Sequence, residues 1–171
     1  MTTSPRLLAE LKQRRPFPTP AEEAAVALMR TTDLLQRRIS LAIEPAGITP
    51  QQYNVLRILR GSHPEPLPTL EIALRMIEQA PGITRLLDRL ESKQLVRRER
   101  CREDRRQVLC RISDRGLAVL AELDHPVSSA IRGAFRKLGR VGALQLIELL
   151  DGLREELVDH APAPPDASPP D

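Results

Sequence analysis

The chain has 171 residues, enough for one domain with a real core or a small domain carrying oligomerisation helices, and one domain per subunit is expected. It is rich in Leu, Arg, Ala and Glu but holds two Phe, one Tyr and no Trp, which favours helices, leaves few aromatic anchors and does not suggest an enzyme pocket. The net charge of +3 is uneven: residues 85 to 115 hold eleven Lys or Arg against six Asp or Glu, a local excess of +5 that leaves −2 for the remainder.

No apolar run approaches the roughly 18 to 20 residues of a membrane span, and the opening MTTSPRLLAELKQRRP has no signal-peptide core, so a cytoplasmic location is expected. In such a chain Cys101 and Cys110 are expected as reduced thiols.

Residues 1–18 read as an N-terminal extension with a short turn at Pro5 to Arg14. Thr19-Pro20-Ala21-Glu22 is a capping box with Pro at the first helical position, and Leu28, Leu35, Ile39 and Ala42 continue at near-helical spacing, predicting a helix over about 20–44. Thr49-Pro50-Gln51-Gln52 repeats the signal. Tyr53, Leu56 and Leu59 then supply a buried face, and Gly61 is expected to stop the helix. After the connector SHPEPLP, a short helix is expected from Thr69 to about Ile77, and a second through PGITRLLDRLESKQL to Leu95.

LVRRERC and RQVLCRI show partial period-2 alternation and read as a hairpin. Ser113-Asp114 caps a helix through Leu123, Pro126 kinks or restarts it, and Gly139 ends the next segment. The last helix, about 142–158, carries Leu144, Ile147, Leu150, Leu153 and Leu157. The tail HAPAPPDASPPD is almost all Pro, Ala and Asp, and residues 159–171 are expected to be disordered. The fold class is therefore mainly α with a small β-hairpin.

Two short helices followed at once by a basic hairpin are the organisation of a winged helix-turn-helix, here about residues 49–116 inside a domain over 19–158. In the second short helix Ile83, Leu86, Leu87 and Leu90 form the core stripe, while Thr84, Arg85, Asp88 and Ser92 face outward. Gln79-Ala80-Pro81-Gly82 at its start offers small side chains, free N–H groups and the positive dipole end to a phosphate. An ordinary solvated face explains that helix equally well by itself.

The charged stretch CREDRRQVLCRISDRG admits a zinc site, a redox switch, a solvated loop or a nucleic-acid contact. Val108, Cys110 and Ile112 share one strand face, and Arg102, Arg105 and Arg106 lie at or near the tip, well placed for phosphates beside a minor groove. A loop centred near Asp104 offsets the two cysteines by about three residues, roughly 10 Å at the usual strand rise, too far for a bridge within the hairpin. Cys110 reads as a small buried hydrophobe, and Cys101, between Arg100 and Arg102, is the less certain thiol.

The run from Gln52 to Gly116, about 65 residues, resembles the MarR family of bacterial transcriptional regulators. The resemblance lies in T-R-L-x-D-R-L at Thr84 to Leu90, L-V-x-R at Leu95 to Arg98, the wing D-x-R at Asp104 to Arg106, and [ST]-x-x-G at Ser113 to Gly116. Gln94 departs from the family, which usually has Gly ending this helix.

The resemblance implies a dimeric repressor on a pseudo-palindromic double-stranded DNA operator, released in many relatives by a small phenolic or similarly lipophilic effector. It implies the helix at 79–95 in the major groove and Arg106 in the minor groove, oriented by Asp104. The candidate DNA-contacting set is Thr69, Gln79, Ala80, Pro81, Gly82, Thr84, Arg85, Arg89, Arg102, Asp104, Arg105 and Arg106. The candidate homodimer contacts are Leu28, Leu35, Ile39, Ile147, Leu150, Leu153 and Leu157. A winged-helix module that binds protein and a cysteine-based redox regulator of the same family are the competing readings. His63, His125 and His160 have no metal-ligand spacing, and no phosphate loop or nucleophile elbow occurs, so no catalytic residue, metal or cofactor is expected.

Overall fold

The computed structural model describes residues 5–78, 82–101 and 104–159. Where a turn was expected near the N-terminus there is a helix, α1, Pro5–Leu11. Thr19 then stands in extended backbone and its hydroxyl accepts the Glu22 amide at 3.2 Å, starting α2, Pro20–Ile43. After a 3₁₀ turn at Glu44–Ala46, Thr49 accepts the Gln52 amide at 3.2 Å, and the Gln52 side chain accepts the Thr49 amide at 3.0 Å. This closed capping box starts α3, Pro50–Ser62.

Gly61 does not stop α3. Helical geometry continues through Ser62 and ends at His63, whose ψ of 135° is the extended value that a following proline imposes. Leu67–Pro68 then forms a strand, β1, that the sequence did not reveal, and α4 covers Thr69–Leu74. It stops short of Ile77 because Asn54 Oδ1 takes the Ile77 amide at 3.0 Å.

The next helix, α5, covers Ile83–Ser92, and the hairpin strands are β2, Val96–Arg100, and β3, Val108–Ile112. The sheet order is β1-β3-β2, all antiparallel, with Arg100 opposite Val108 and Cys110 between Leu67 and Arg98. Pro68 is tolerated on a two-residue edge strand, where its missing N–H costs little. With this added strand the expected hairpin becomes a small three-stranded sheet, within the expected mainly α winged helix-turn-helix class.

The described residues 5–131 form one compact unit with a continuous core. Val55, Leu56 and Leu59 of α3, Ile72 of α4, Leu87 and Leu90 of α5, and Cys110 and Ile112 of β3 are all buried there. Leu120, Leu123 and Val127 join them from α6, which runs unbroken over Asp114–Phe135. Pro126 therefore neither ends nor restarts this helix. The roughly 3 kcal/mol that an interior proline costs is offset by burial of Leu123 and Val127 on either side.

A second unit begins at Arg132 and contains the end of α6 and α7, Gly139–Asp159. Gly139, at φ 63°, opens α7 instead of closing the helix before it. None of the α7 side chains described is buried, and Leu144, Ile147, Leu149 and Leu157 are each more than half exposed.

Candidate nucleic-acid interface

The period of ITRLLDRLES divides α5 as its spacing predicts. Leu87 and Leu90 are fully buried, Ile83 and Leu86 pack partly against the core, and Thr84, Arg85, Asp88, Arg89 and Ser92 are exposed. Gly82 caps the helix at φ 104°, a conformation that favours glycine and keeps the helix from starting earlier. Of the proposed contact residues, Gln79, Ala80, Pro81 and Arg102 lie outside the described residues, as does the tail from His160.

The other end of α5 is held by backbone. The Leu95 amide reaches the Leu90 carbonyl at 2.9 Å and the Gln94 amide reaches Glu91 at 2.8 Å, the two bonds of a Schellman cap. Gln94 takes the left-handed position at φ 61°, so it adopts the conformation glycine would have supplied. Its carbonyl accepts the Ser113 hydroxyl at 2.7 Å, and Ser113 Oγ in turn accepts the Gly116 amide at 3.0 Å, starting α6. A Cβ on Gly116 would lie 2.3 Å from the Leu95 carbonyl oxygen, so the glycine is required for this close approach.

Arg98 ties β2 to α5. Its guanidinium donates to Asp88 at 2.6 Å and to Glu91 at 2.9 and 2.7 Å, with only 22% of the side chain exposed. The Glu91 hydrogen bond, aided by Asp88 and opposed by burial, raises its pKa above the ordinary value, so the charge is permanent. Asp88, read from the helix period as part of an outward polar face, therefore serves the junction with the wing. Two acids at i and i+3 with an arginine ten residues beyond were the available signal.

At the wing tip, Cys101 donates its amide to the Gln107 carbonyl at 3.0 Å, and Gln107 donates to the Asp104 carbonyl at 2.9 Å. The Asp104 carboxylate accepts the Arg106 amide at 3.0 Å and the Gln107 side chain at 3.2 Å. Asp104 thus orients Arg106 through the turn's backbone instead of through the guanidinium, while Arg105 and Arg106 are exposed. Thr69 is half-buried, with its hydroxyl donating to the Val108 carbonyl at 3.2 Å.

Cys101 faces Gln107, three residues along the strand from the level of Cys110, the offset predicted from a loop centred near Asp104. Cys110 is fully buried. Desolvation pushes its thiol pKa up, against smaller lowering effects of Thr69 and Arg98, which disfavours the reactive thiolate.

This geometry agrees with what is known of similar chains. The MarR family model matches residues 48–108. A crystallised MarR transcription factor from Planctomyces limnophilus is 38% identical, over 79% of this chain and 98% of its own, with a TM-score of 0.62. The chain belongs to the MarR family of transcriptional regulators. The HTH-type transcriptional regulator FarR of Neisseria gonorrhoeae is 27% identical over 136 residues, 78% of this chain and 92% of its own. A cysteine-to-serine mutant of E. coli MarR, solved with operator DNA, is 23% identical over 74% of this chain and 90% of its own, at a TM-score of 0.67.

In this MarR family chain, no described helix is long and apolar enough to cross a membrane. The residues singled out for self-association divide between the two units. Leu28 is 38% exposed, Leu35 is half-buried, and Ile39 packs partly against the core of the first unit. On α7, Ile147, Leu153 and Leu157 are exposed and Leu150 is half-buried.

Proposed function

We propose that this regulator is a homodimeric, sequence-specific repressor acting in the cytoplasm on a pseudo-palindromic double-stranded DNA operator. The observation that carries the reading is the joining of two exposed cationic surfaces: Arg85 and Arg89 on α5, and Arg105 and Arg106 on the wing turn, connected through Arg98 and its acidic partners. In this reading α5 lies in the major groove with Arg85 on a base edge, and Thr84 and Arg89 beside it. Arg106 enters the minor groove, where narrow A·T-rich segments concentrate negative potential. Thr69, the 79–82 segment, Arg102, Asp104 and Arg105 position the protein on the backbone. The E. coli MarR mutant, which shares this fold, was solved with operator DNA, and that supports DNA as the partner.

A cavity of about 140 Å³ between α2, α3 and α6 supports release by a small lipophilic or phenolic effector. Ile39, Tyr53, Met76, Val127 and Ile131 give it apolar walls, and Arg57, whose guanidinium lies 5.9 Å from the Tyr53 ring centroid, supplies a cation. That volume suits a single aromatic ring, since an engineered cavity of roughly 150 Å³ holds benzene.

Footprinting the purified protein on DNA upstream of its own gene tests the central reading. Two protected half-sites about 10 base pairs apart, or a multiple of that, are expected, with affinity falling steeply as salt rises. Salt-insensitive association without protected half-sites would favour the protein-docking alternative.

A further inference from the structure

Three amide side chains from two helices converge on Ile77 and Glu78, the last described residues before positions 79–81. Gln36 on α2 donates to Glu78 Oε1, and Gln51 in the first turn of α3 donates to Glu78 Oε2 at 3.4 Å. Asn54, one turn further along α3, accepts the Ile77 amide at 3.0 Å. Helix α4 has ended by this point, and Met76 is the segment's last buried side chain, since Ile77 is 81% exposed. Beyond Met76 these polar contacts hold the segment.

The anchoring of α5 is lopsided. Its fully buried residues, Leu87 and Leu90, and its links through Asp88, Glu91 and Gln94 all lie from the middle of the helix onward. The first turn, which carries Thr84 and Arg85, has only the partly buried Ile83 and Leu86 beneath it. A ten-residue helix is about 15 Å long, so a tilt of about 10° about its far end moves the first turn by roughly 2.5 Å. That exceeds what a hydrogen bond to a base edge tolerates.

We propose that Glu78 is a positioning residue for DNA recognition: braced by Gln36 and Gln51, with Asn54 holding Ile77, it sets where α5 begins and hence the angle at which Thr84 and Arg85 are presented. This rests on the proposed reading of DNA by α5, but the strap itself acts in the free protein. Gln36, Gln51, Asn54, Ile77 and Glu78 also line the cavity described above, so the same groups bound the effector site and brace the recognition helix.

Amide hydrogen exchange of the free, full-length protein tests the strap. The Arg85 and Leu86 amides bond to the Gly82 carbonyl at 2.9 and 3.2 Å and report on the first turn. Glu78→Ala is expected to speed their exchange and to weaken operator binding, each by about three- to tenfold. A Gln36→Ala, Gln51→Ala double variant should reproduce both effects and add little when combined with Glu78→Ala. Glu78→Gln, which keeps one acceptor oxygen, should fall between Glu78→Ala and wild type. Wild-type exchange at Arg85 and Leu86 in both the Glu78→Ala and the double variant would overturn the strap. Faster exchange with unchanged operator affinity would overturn its role in recognition. A wild-type protein that protects no operator would instead remove the DNA reading, and the positioning role with it, while exchange still decides the strap.

Discussion

Gln94 and Gly116 meet at the junction between α5 and α6, and each is placed by a backbone demand instead of by its side chain. Gln94 sits at φ 61°, where an L-residue costs about 1 kcal/mol relative to glycine. Its exposed side-chain bond to Arg115 recovers only part of that. Gln94→Gly should therefore stabilise the protein by about 0.5 to 1 kcal/mol, raising the melting temperature by a few degrees in calorimetry. Gly116→Ala should do the opposite and cost about 1 to 3 kcal/mol, because the added methyl group meets the backbone of Leu95 and the Ile112 side chain. On the exposed face, Arg85→Ala should cost about 1 to 3 kcal/mol on the operator and relax sequence preference. Arg106→Ala should weaken binding and reduce the salt slope by about one unit, since one fewer cation displaces counterions. Fluorescence anisotropy over a salt series separates the two, and unchanged affinity in both variants would show that another surface docks.

In the proposed docking the unit of recognition at the next scale is a pair of elements, α5 and the hairpin, and Arg98 links them. One guanidinium serves two carboxylates, so removing it leaves Asp88 and Glu91 facing each other without a counter-charge. Both acids are 40% or more exposed, so water screens most of that repulsion and the loss in stability stays near 1 kcal/mol. The expected consequence for binding is larger, because in the proposed docking wing and helix address neighbouring grooves at one fixed angle. Arg98→Gln is expected to lower operator affinity about tenfold while moving the urea midpoint only slightly, and a double-mutant cycle with Glu91→Gln should show strong coupling. An affinity loss no larger than the stability loss would mean that Arg98 contributes only to folding.

At the scale of the whole molecule, exposed apolar surface dominates. A helix of 21 residues without one buried side chain among those described, and with Leu144, Ile147, Leu149 and Leu157 more than half exposed, has a face that association would cover. Deleting residues 142–158 should give a monomer with poor operator affinity, since each half-site would then bind independently. Sedimentation velocity checks this, and a truncated protein that still sediments as a dimer would contradict the assignment of α7 to the interface.

Features whose cause is local were legible in the sequence. The threonine caps at Thr19 and Thr49, the apolar period of α5 and the centring of the wing near Asp104 depend on residues within a few positions of one another, and each appears as the spacing predicts. Features that depend on a distant group were not. Helix α4 ends early because Asn54 takes the Ile77 amide, and α6 passes through Pro126 because its flanks are buried in a core built elsewhere. Leu67–Pro68 becomes a strand only because β3 presents a free edge. Asp88 turns from the exposed face of α5 to Arg98, and Glu78 gathers amides from α2 and α3, because folding brings together groups separated by ten to forty-two positions. Periodicity along one helix assigns a side chain to a face. What that side chain binds is decided by the element packed beside it.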